Sequence, residues 1–446
     1  MLSREDNEVI TRVGRGTPMG DLMREFWIPA MLSTELPNPD SDPVRVKLLG
    51  EELIGWRDSN GAVGLLGNSC PHRGASLFFG RSEECGLRCV YHGWKFDVTG
   101  SCVDMPNEPA ESNFKHKVKA TAYPCRERGG VVWTYMGPRD TPPPLPDIEG
   151  NMQADSTARA TYLPCNWLQI MEGDIDTIHA GILHYGALKP EEQPKGSFSE
   201  YQLRNRTAEF AVIDTEAGCT YGAYREAEPG MDYWRIAQFL LPFWTMTPPG
   251  VLGLKKTANC RVPMDDDHTI TFNMSSGRSI IGGRPAGGPA AGATGPTLAA
   301  FAEQLPNTAD WYGRFRTKQN PDNDFLLDRE IQRKKEGPAG YTGIFSIGMQ
   351  DAAMTTSMGA IYDRSHEHLG TTDSMIIRVR RRLISVARAH AEHGEVPGAV
   401  DHPDVYRVRS GGCMLPRGAD WVEATQSLRA GFVDHPELNP ALNGPL

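Results

Sequence analysis

Two short pairs of metal-binding residues constrain this chain more than anything else in it: Cys70-Pro71-His72 and Cys89-Val90-Tyr91-His92. Together they supply two thiolates and two imidazoles. That donor set suits a two-iron, two-sulfur cluster with one thiolate-bound and one imidazole-bound iron. Zinc also accepts two Cys and two His. Three details favour iron–sulfur. Each pair mixes one Cys with one His, whereas zinc fingers usually pair Cys with Cys. Sixteen residues separate His72 from Cys89. The flanks read Cys-Pro-His-Arg-Gly and Cys-x-Tyr-His-Gly-Trp.

Both pairs sit in a region with the texture of short strands and turns, residues 30–137. Val44-Arg45-Val46-Lys47-Leu48-Leu49 alternates, and Asp58-Ser59-Asn60-Gly61 is a hairpin signal. Before it, residues 1–29 read as a helical segment. Gly14, Gly16 and Pro18 divide it into two short helices, with Ser3, Asp6 or Asn7 as a cap. After it, residues 138–147 are rich in proline and read as a stiff linker, with the domain boundary there. Residues 148–446 form the second large unit. A helix is expected over 166–183, strands near 209–214, 221–225, 232–241 and 269–274, and helices near 298–303, 324–335 and 373–392. The Gly-, Pro- and Ala-rich stretch 282–296 reads as a mobile loop, and the tail 431–446 as extended.

A second constellation lies in the expected helix: Glu172-Gly173-Asp174-Ile175-Asp176-Thr177-Ile178-His179, closed by His184. Two imidazoles and nearby carboxylates suit one iron held by two His and one carboxylate, with open positions for oxygen. In an ideal helix His179 and His184 stand about 140° apart. Both reach one metal only if the helix bends or carries a π-bulge. Acidic and imidazole side chains among Ile170, Ile175, Ile178 and Ile182 are unusual for a plain core helix.

The Cys/His flanks resemble the Rieske domain of ring-hydroxylating oxygenases, and Asn166-Trp167-Leu168-Gln169 through His184 resembles the iron-binding helix of the same family. The likeness runs from the N-terminal helices to Ile377-Arg378-Val379-Arg380-Arg381, and is closest to the phthalate dioxygenase branch. It implies an α+β fold: an all-β Rieske iron–sulfur domain followed by a helix-grip catalytic domain, an antiparallel sheet with helices. It implies a [2Fe-2S] cluster on Cys70, His72, Cys89 and His92, and a mononuclear Fe(II) on His179 and His184. Asp351 is the expected third ligand, with Asp363 as the fallback. Asp176 occupies the bridging position, where a carboxylate couples a ligand His to a neighbouring subunit's cluster. Glu172 is placed beside it in the catalytic group. Ala75 and Val90 stand where respiratory relatives carry a second pair of Cys, so no disulfide supports the cluster.

The resemblance further implies an oxygenase subunit that uses O2 and electrons from an NAD(P)H-dependent flavin/iron–sulfur reductase to hydroxylate, by cis-dihydroxylation, an aromatic carboxylate of the phthalate or benzoate type. It also implies a homo-oligomer, trimer or hexamer. O-demethylation or ether cleavage of an aromatic acid is the alternative within the class, and a Rieske-type electron carrier the alternative outside it. Arg235, in the apolar strand Tyr233-Trp234-Arg235-Ile236-Ala237-Gln238-Phe239, either snorkels from an edge or binds a substrate carboxylate. Arg206 is a second substrate candidate, and Arg73 and Lys95 are candidates for docking an acidic reductase. A net charge of −10 argues against nucleic acid and anionic membrane as partners. Nine Cys in no secreted pattern, an acidic N-terminus and no long apolar run point to the cytoplasm.

Overall fold

The computed structural model describes residues 2–193, 195–248, 250–254, 256–276, 280–281, 284–285, 302–337 and 339–438. Apart from residues 284–285, the expected loop at 282–296 lies outside the described residues, as do most of the helix expected near 298–303 and the end of the tail.

Two short helices open the chain, α1 (Arg4–Thr11) and α2 (Pro18–Arg24). Ser3 Oγ accepts from the Asp6 amide and caps α1. Thr17 caps α2, and Pro18 takes the first helical position, where no amide is needed. The chain then turns extended at Trp27, earlier than the expected end of the helical segment.

The first β region comprises three small sheets. β1 (Trp27–Leu32) pairs with β11 (Val131–Tyr135), which pairs with β10 (Cys125–Arg128). A second sheet runs β2 (Val44–Leu48), β3 (Glu51–Arg57), β4 (Val63–Gly67) and β9 (Ala122–Tyr123). A third runs β5 (Arg81–Glu83), β6 (Gly86–Arg88), β7 (Lys95–Phe96) and β8 (Cys102–Asp104), and carries the second Cys/His loop at its β6–β7 turn.

The second β region is one large antiparallel sheet in the order β12 (Thr157–Leu163), β18 (Thr269–Ser276), β17 (Lys256–Pro263), β16 (Trp244–Met246), β15 (Met231–Leu240), β14 (Gly218–Glu226) and β13 (Glu209–Asp214). A short pair, β19 (Ile280–Ile281) and β20 (Arg284–Pro285), stands apart. The far edge of β15 is divided. Gln238–Leu240 pair with β16, and Met231–Ile236 pair with β21 (Gly411–Pro416). Along this sheet side chains alternate between faces. Cys219, Tyr221, Ala223, Ala237 and Phe239 belong to the main core together with α3 (Trp167–Ile175) and α8 (Ser374–His393). Trp234, Ile236, Leu415 and Trp421 form a separate core on the other face.

The main core crosses the boundary expected at 138–147. Ile10, Leu22, Trp27 and Trp133 share one apolar cluster with Trp167, Trp244 and Val379, and Trp133 stacks on Trp244 at 5.5 Å. The proline-rich stretch is itself fastened, with Trp27 Nε1 donating to the Pro143 carbonyl at 2.7 Å. Among the described residues, no helix is long and apolar enough to cross a membrane.

Candidate metal centres

The iron helix is broken, not bulged. α3 starts at Asn166, whose Oδ1 accepts from the Leu168 amide, and ends at Ile175. Asp176 is extended (φ −87°, ψ 104°). Its Oδ1 accepts from the amides of Ile178 (2.8 Å) and His179 (3.4 Å) and closes a tight turn that leads into α4 (Ala180–Leu183). The chain therefore leaves the first helix at this carboxylate and re-enters helix at His179, which brings His179 beside His184. α3 is anchored by Asp174, a residue the sequence reading passed over. Asp174 accepts from Arg261 Nε and Nη2 and from Thr245 Oγ1, all at 2.6 Å.

The third contributor is α7 (Ile347–Ser357), which presents Asp351. His179 Nε2 and His184 Nε2 are 3.2 Å apart, and Asp351 Oδ1 lies 3.5 Å from the first and 3.2 Å from the second. Among the described residues this is the only set of three or more His, Cys, Asp or Glu whose donor atoms all lie within 4.8 Å of one another. Each imidazole is oriented from its far side. His179 Nδ1 faces Asp176 Oδ2 at 3.3 Å, and His184 Nδ1 faces Gln350 Oε1 at 2.8 Å. The buried Gln350 amide is fixed in turn, donating from Nε2 to the Ile344 carbonyl at 2.9 Å. With a cation bound between them, each ring would keep its proton on Nδ1 and offer the Nε2 lone pair to the cation. Burial alone would lower the pKa of His179, but Asp176 and Asp351 outweigh it and hold it up at about 10. Asp351 is pulled far below the ordinary carboxylate range: burial opposes this, and the two histidines prevail. The carboxylates that favour a proton on His179 equally favour a metal cation in its place, so two imidazoles and a carboxylate converging at one point form a cation site.

The other four candidates occupy two matched loops. The Cys70 amide donates to the Ala75 carbonyl and the Gly74 amide to the Cys70 carbonyl. The Cys89 amide donates to Trp94 and the Gly93 amide to Cys89 in the same way. Gly74 (φ 76°) and Gly93 (φ 78°) take the left-handed conformation that closes each loop. Both sulfurs are buried, and the imidazoles of His72 and His92 meet edge-on with centroids 4.4 Å apart. Trp94 stacks on His72 at 4.4 Å. Burial, with Cys89 adding to it, pushes the Cys70 thiol up to about 11 despite an opposing backbone hydrogen bond from His72. His92 Nδ1 is buried and has no hydrogen-bond partner, the signature of an atom meant for a metal. Two buried thiols and two imidazoles on facing loops are the donor set of a cluster whose thiolates and imidazoles hold different irons.

Residues 26–124 match the family described as Rieske [2Fe-2S] domain, and residues 134–437 match the LigXa C-terminal domain-like family. The chain is 43% identical to the 3-chlorobenzoate-3,4-dioxygenase oxygenase subunit of Comamonas testosteroni, over 97% of this chain and all of that protein. The chain belongs to the Rieske non-haem iron oxygenases. It is also 36% identical to the phthalate 4,5-dioxygenase oxygenase subunit of Pseudomonas putida, over 94% of each chain. The crystal structure of dicamba monooxygenase bound to dicamba shares the fold, with a TM-score of 0.55 at 18% identity over 83% of this chain and 98% of that one. A Rieske oxygenase carries a [2Fe-2S] cluster and a mononuclear iron, and the two sets of donors above have the chemistry for both. The fold is α+β, as the resemblance implied.

Several expected site residues of this Rieske oxygenase lie elsewhere. Glu172 does not join the triad. It is buried between Arg364 Nη2 (2.9 Å) and Arg380 Nε (2.5 Å), and Arg380 also pairs with Glu367. Its position four residues before Asp176 puts it one helical turn away, on the side facing α8. Arg206 is exposed beyond α5 (Phe198–Arg204) and makes no contact with the triad. Asp363 is exposed and caps the turn at Ser365. Lys95 is buried against Glu84, so it offers no docking surface, while Arg73 is exposed beside Tyr91. Arg235 is buried on β15 and lies over the Phe198 ring at 3.7 Å. Phe198 meets Tyr185, and Tyr185 meets His184, so Arg235 stands two rings from the triad. Gln350 was missed because nothing in the sequence distinguishes it from its neighbours. Only the fold brings it to His184.

Proposed function

We propose that this chain is the terminal oxygenase of a multicomponent system that cis-dihydroxylates an aromatic carboxylate. His179, His184 and Asp351 would hold the mononuclear Fe(II), and Cys70, His72, Cys89 and His92 the [2Fe-2S] cluster. When bound, the mononuclear iron supplies O2 activation and the cluster supplies electrons singly. The overall balance is one arene, one O2, one NAD(P)H and one proton giving one cis-diol and NAD(P)+. The electrons come through a flavin/iron–sulfur reductase in the cytoplasm.

The observation that carries this reading is the triad standing two ring contacts from a buried guanidinium. Three protein donors leave up to three positions on a six-coordinate metal. Arg235, flattened on Phe198, keeps its N–H edge free to take a carboxylate. The rings of Tyr185 and Phe198 lie between these two ends and would hold an aromatic ring by contact. The substrates named for the two relatives, 3-chlorobenzoate and phthalate, share a ring carboxylate.

Asp176 accepts the proton-bearing edge of His179 and is itself about one-quarter exposed, so it can also meet a group outside this chain. Exposed Val90 and Tyr91 beside the cluster loop, and exposed Ile182, Met354 and Met358 on the elements of the triad, supply apolar surface for a head-to-tail homotrimer or a hexamer. In such an assembly one subunit's cluster serves its neighbour's iron through Asp176.

The test is product analysis by mass spectrometry with NADH, a surrogate reductase, O2 and a panel of benzoates, phthalate isomers and methoxybenzoates. A product that gains two oxygens and two hydrogens supports the proposal. Loss of a methyl group from the methoxy acids alone would replace it with O-demethylation. Reduced, iron-loaded protein that transforms none of the acids would overturn the carboxylate reading.

A further inference from the structure

Eight arginines of the described residues are buried, and six of them are paired. Arg24 meets Glu51, Arg261 meets Asp174, Arg314 meets Glu35, Arg364 and Arg380 meet Glu172, and Arg409 meets Glu149. This fold therefore neutralises a buried guanidinium as a rule, as the cost of an unpaired buried charge requires. The two exceptions are neighbours. Arg225 is 4% exposed, and its Nε, Nη1 and Nη2 have no hydrogen-bond partner. Arg235 is 6% exposed, and its Nε and Nη1 have none.

Their placement follows from the register of β14 and β15. Arg225 is opposite Tyr233 and Arg235 is opposite Ala223, so the two arginines are diagonal cross-strand neighbours on the same face of the sheet. Diagonal pairs are roughly 7–8 Å apart at the backbone, within reach of long side chains. This is the face covered by the iron helix. Other polar groups lie around the pair: Tyr221 Oη on β14 beside Thr177 in the helix break, and Gln202, whose Oε1 has no partner and whose amide nitrogen holds the Thr177 carbonyl at 3.0 Å. Arg225 is repelled by Arg235, and among the described residues neither forms an ion pair with a carboxylate, although Asp176 acts favourably on Arg235 from a greater distance. Two adjacent guanidiniums without ion-pair partners, on the sheet face that the iron helix covers, make a site for a doubly charged anion.

We propose that Arg225 is a second substrate-recognition residue, and that the substrate is an aromatic ring bearing two carboxylates, one on Arg235 and one on Arg225. The proposal rests on the carboxylate reading above and goes beyond it in fixing the number of charges. It makes Arg225 a specificity residue: a monoacid fills one guanidinium and leaves the other unpaired.

Equilibrium binding of benzoate, phthalate, isophthalate and terephthalate to the metal-loaded protein tests it. At least one diacid should bind about tenfold or more tightly than benzoate, the worth of a charge-assisted hydrogen bond. Arg225→Met should abolish that preference while changing benzoate affinity less than about threefold. Arg235→Met should weaken both. Because Arg225→Met removes an unpaired buried charge, its melting temperature without ligand should not fall. Should that variant fail to fold, thermal shifts of the wild-type protein still decide, since the diacid must raise the melting temperature more than benzoate at equal concentration. Benzoate binding as tightly as every diacid would overturn the proposal. So would equal weakening of monoacid and diacid by Arg225→Met, which would mean both arginines share one carboxylate. In either case hydroxylation of benzoates would leave the oxygenase reading intact, whereas no binding of any acid would remove both.

Discussion

Asp176 bonds two backbone amides and one imidazole, and these jobs can be separated. Asp176→Asn keeps an oxygen for the amides of Ile178 and His179 but loses the charge facing His179 Nδ1. Iron and cluster content should stay near wild type while coupled turnover falls by about 10- to 100-fold or more. Full activity would remove Asp176 from the electron path. Gln350 does for His184 what Asp176 does for His179, so Gln350→Ala should weaken iron binding by about 10- to 100-fold, read by competition with a chelator. Glu172 behaves differently because its partners are cations and not the metal. Burial raises its pKa, but Arg364 and Arg380 outweigh this, and the net shift is downward. A carboxylate so shifted stabilises the fold fully above its unfolded pKa, near 4.3, and loses that contribution as the pH falls through the lower folded value. Glu172→Gln should therefore cost about 3–5 kcal/mol at pH 7, with the gap from wild type closing below about pH 4. A gap independent of pH would show that the ion pairs are not the cause. Residue types and spacing were enough to nominate the two histidines and the four cluster residues, whereas Asp351 came from the resemblance of its surroundings to the family. They could not separate Glu172 from Asp176, because one helical turn decides whether a carboxylate faces a metal or two arginines.

At the scale of elements, one helix was expected over 166–183 and two stand there, α3 and α4, while the need for a distortion between the histidines was legible from their spacing. The kind of distortion was not, because a π-bulge and a capped break satisfy the same spacing. Asp176 decides it by local hydrogen bonding, which competes with the helix as Asp side chains do. Strands β12, β16, β17 and β21 were not anticipated. β16 is three residues long and β21 contains Gly411 and Gly412, so neither of these two has a period to read. Gly412 has a packing reason, since a Cβ there would meet the Tyr233 hydroxyl at 2.1 Å. Gly173, inside the iron helix, has none: an added Cβ would meet only Thr355 Cγ2, at 3.7 Å. Gly173→Ala should stabilise the protein by about 0.5–1 kcal/mol, measured by denaturant melt, with iron content unchanged. Destabilisation would mean that α3 must flex at this point.

At the scale of the molecule, a chain that reads as two domains with a linker shares one main core. β1 and β11, from the cluster side, pack with Trp167, Trp244 and the sheet of the catalytic side. Native-state hydrogen exchange should show amides of β11 and β17 opening in the same cooperative unit. Separate opening of residues 27–136 would contradict a shared core. Proline content suggested a spacer because composition reports stiffness, while the packing of Trp27 and Trp133 depends on partners distant in sequence. The same arrangement has a consequence for biosynthesis. α1 and α2 pack against α8, which begins roughly 350 residues after α2 ends. At about 5–20 residues per second the ribosome needs on the order of tens of seconds to supply it. Through that interval Met19, Leu22 and Met23 have no α8 to cover them, so the first helices made are among the last to be buried, and a nascent-chain chaperone is their natural shelter.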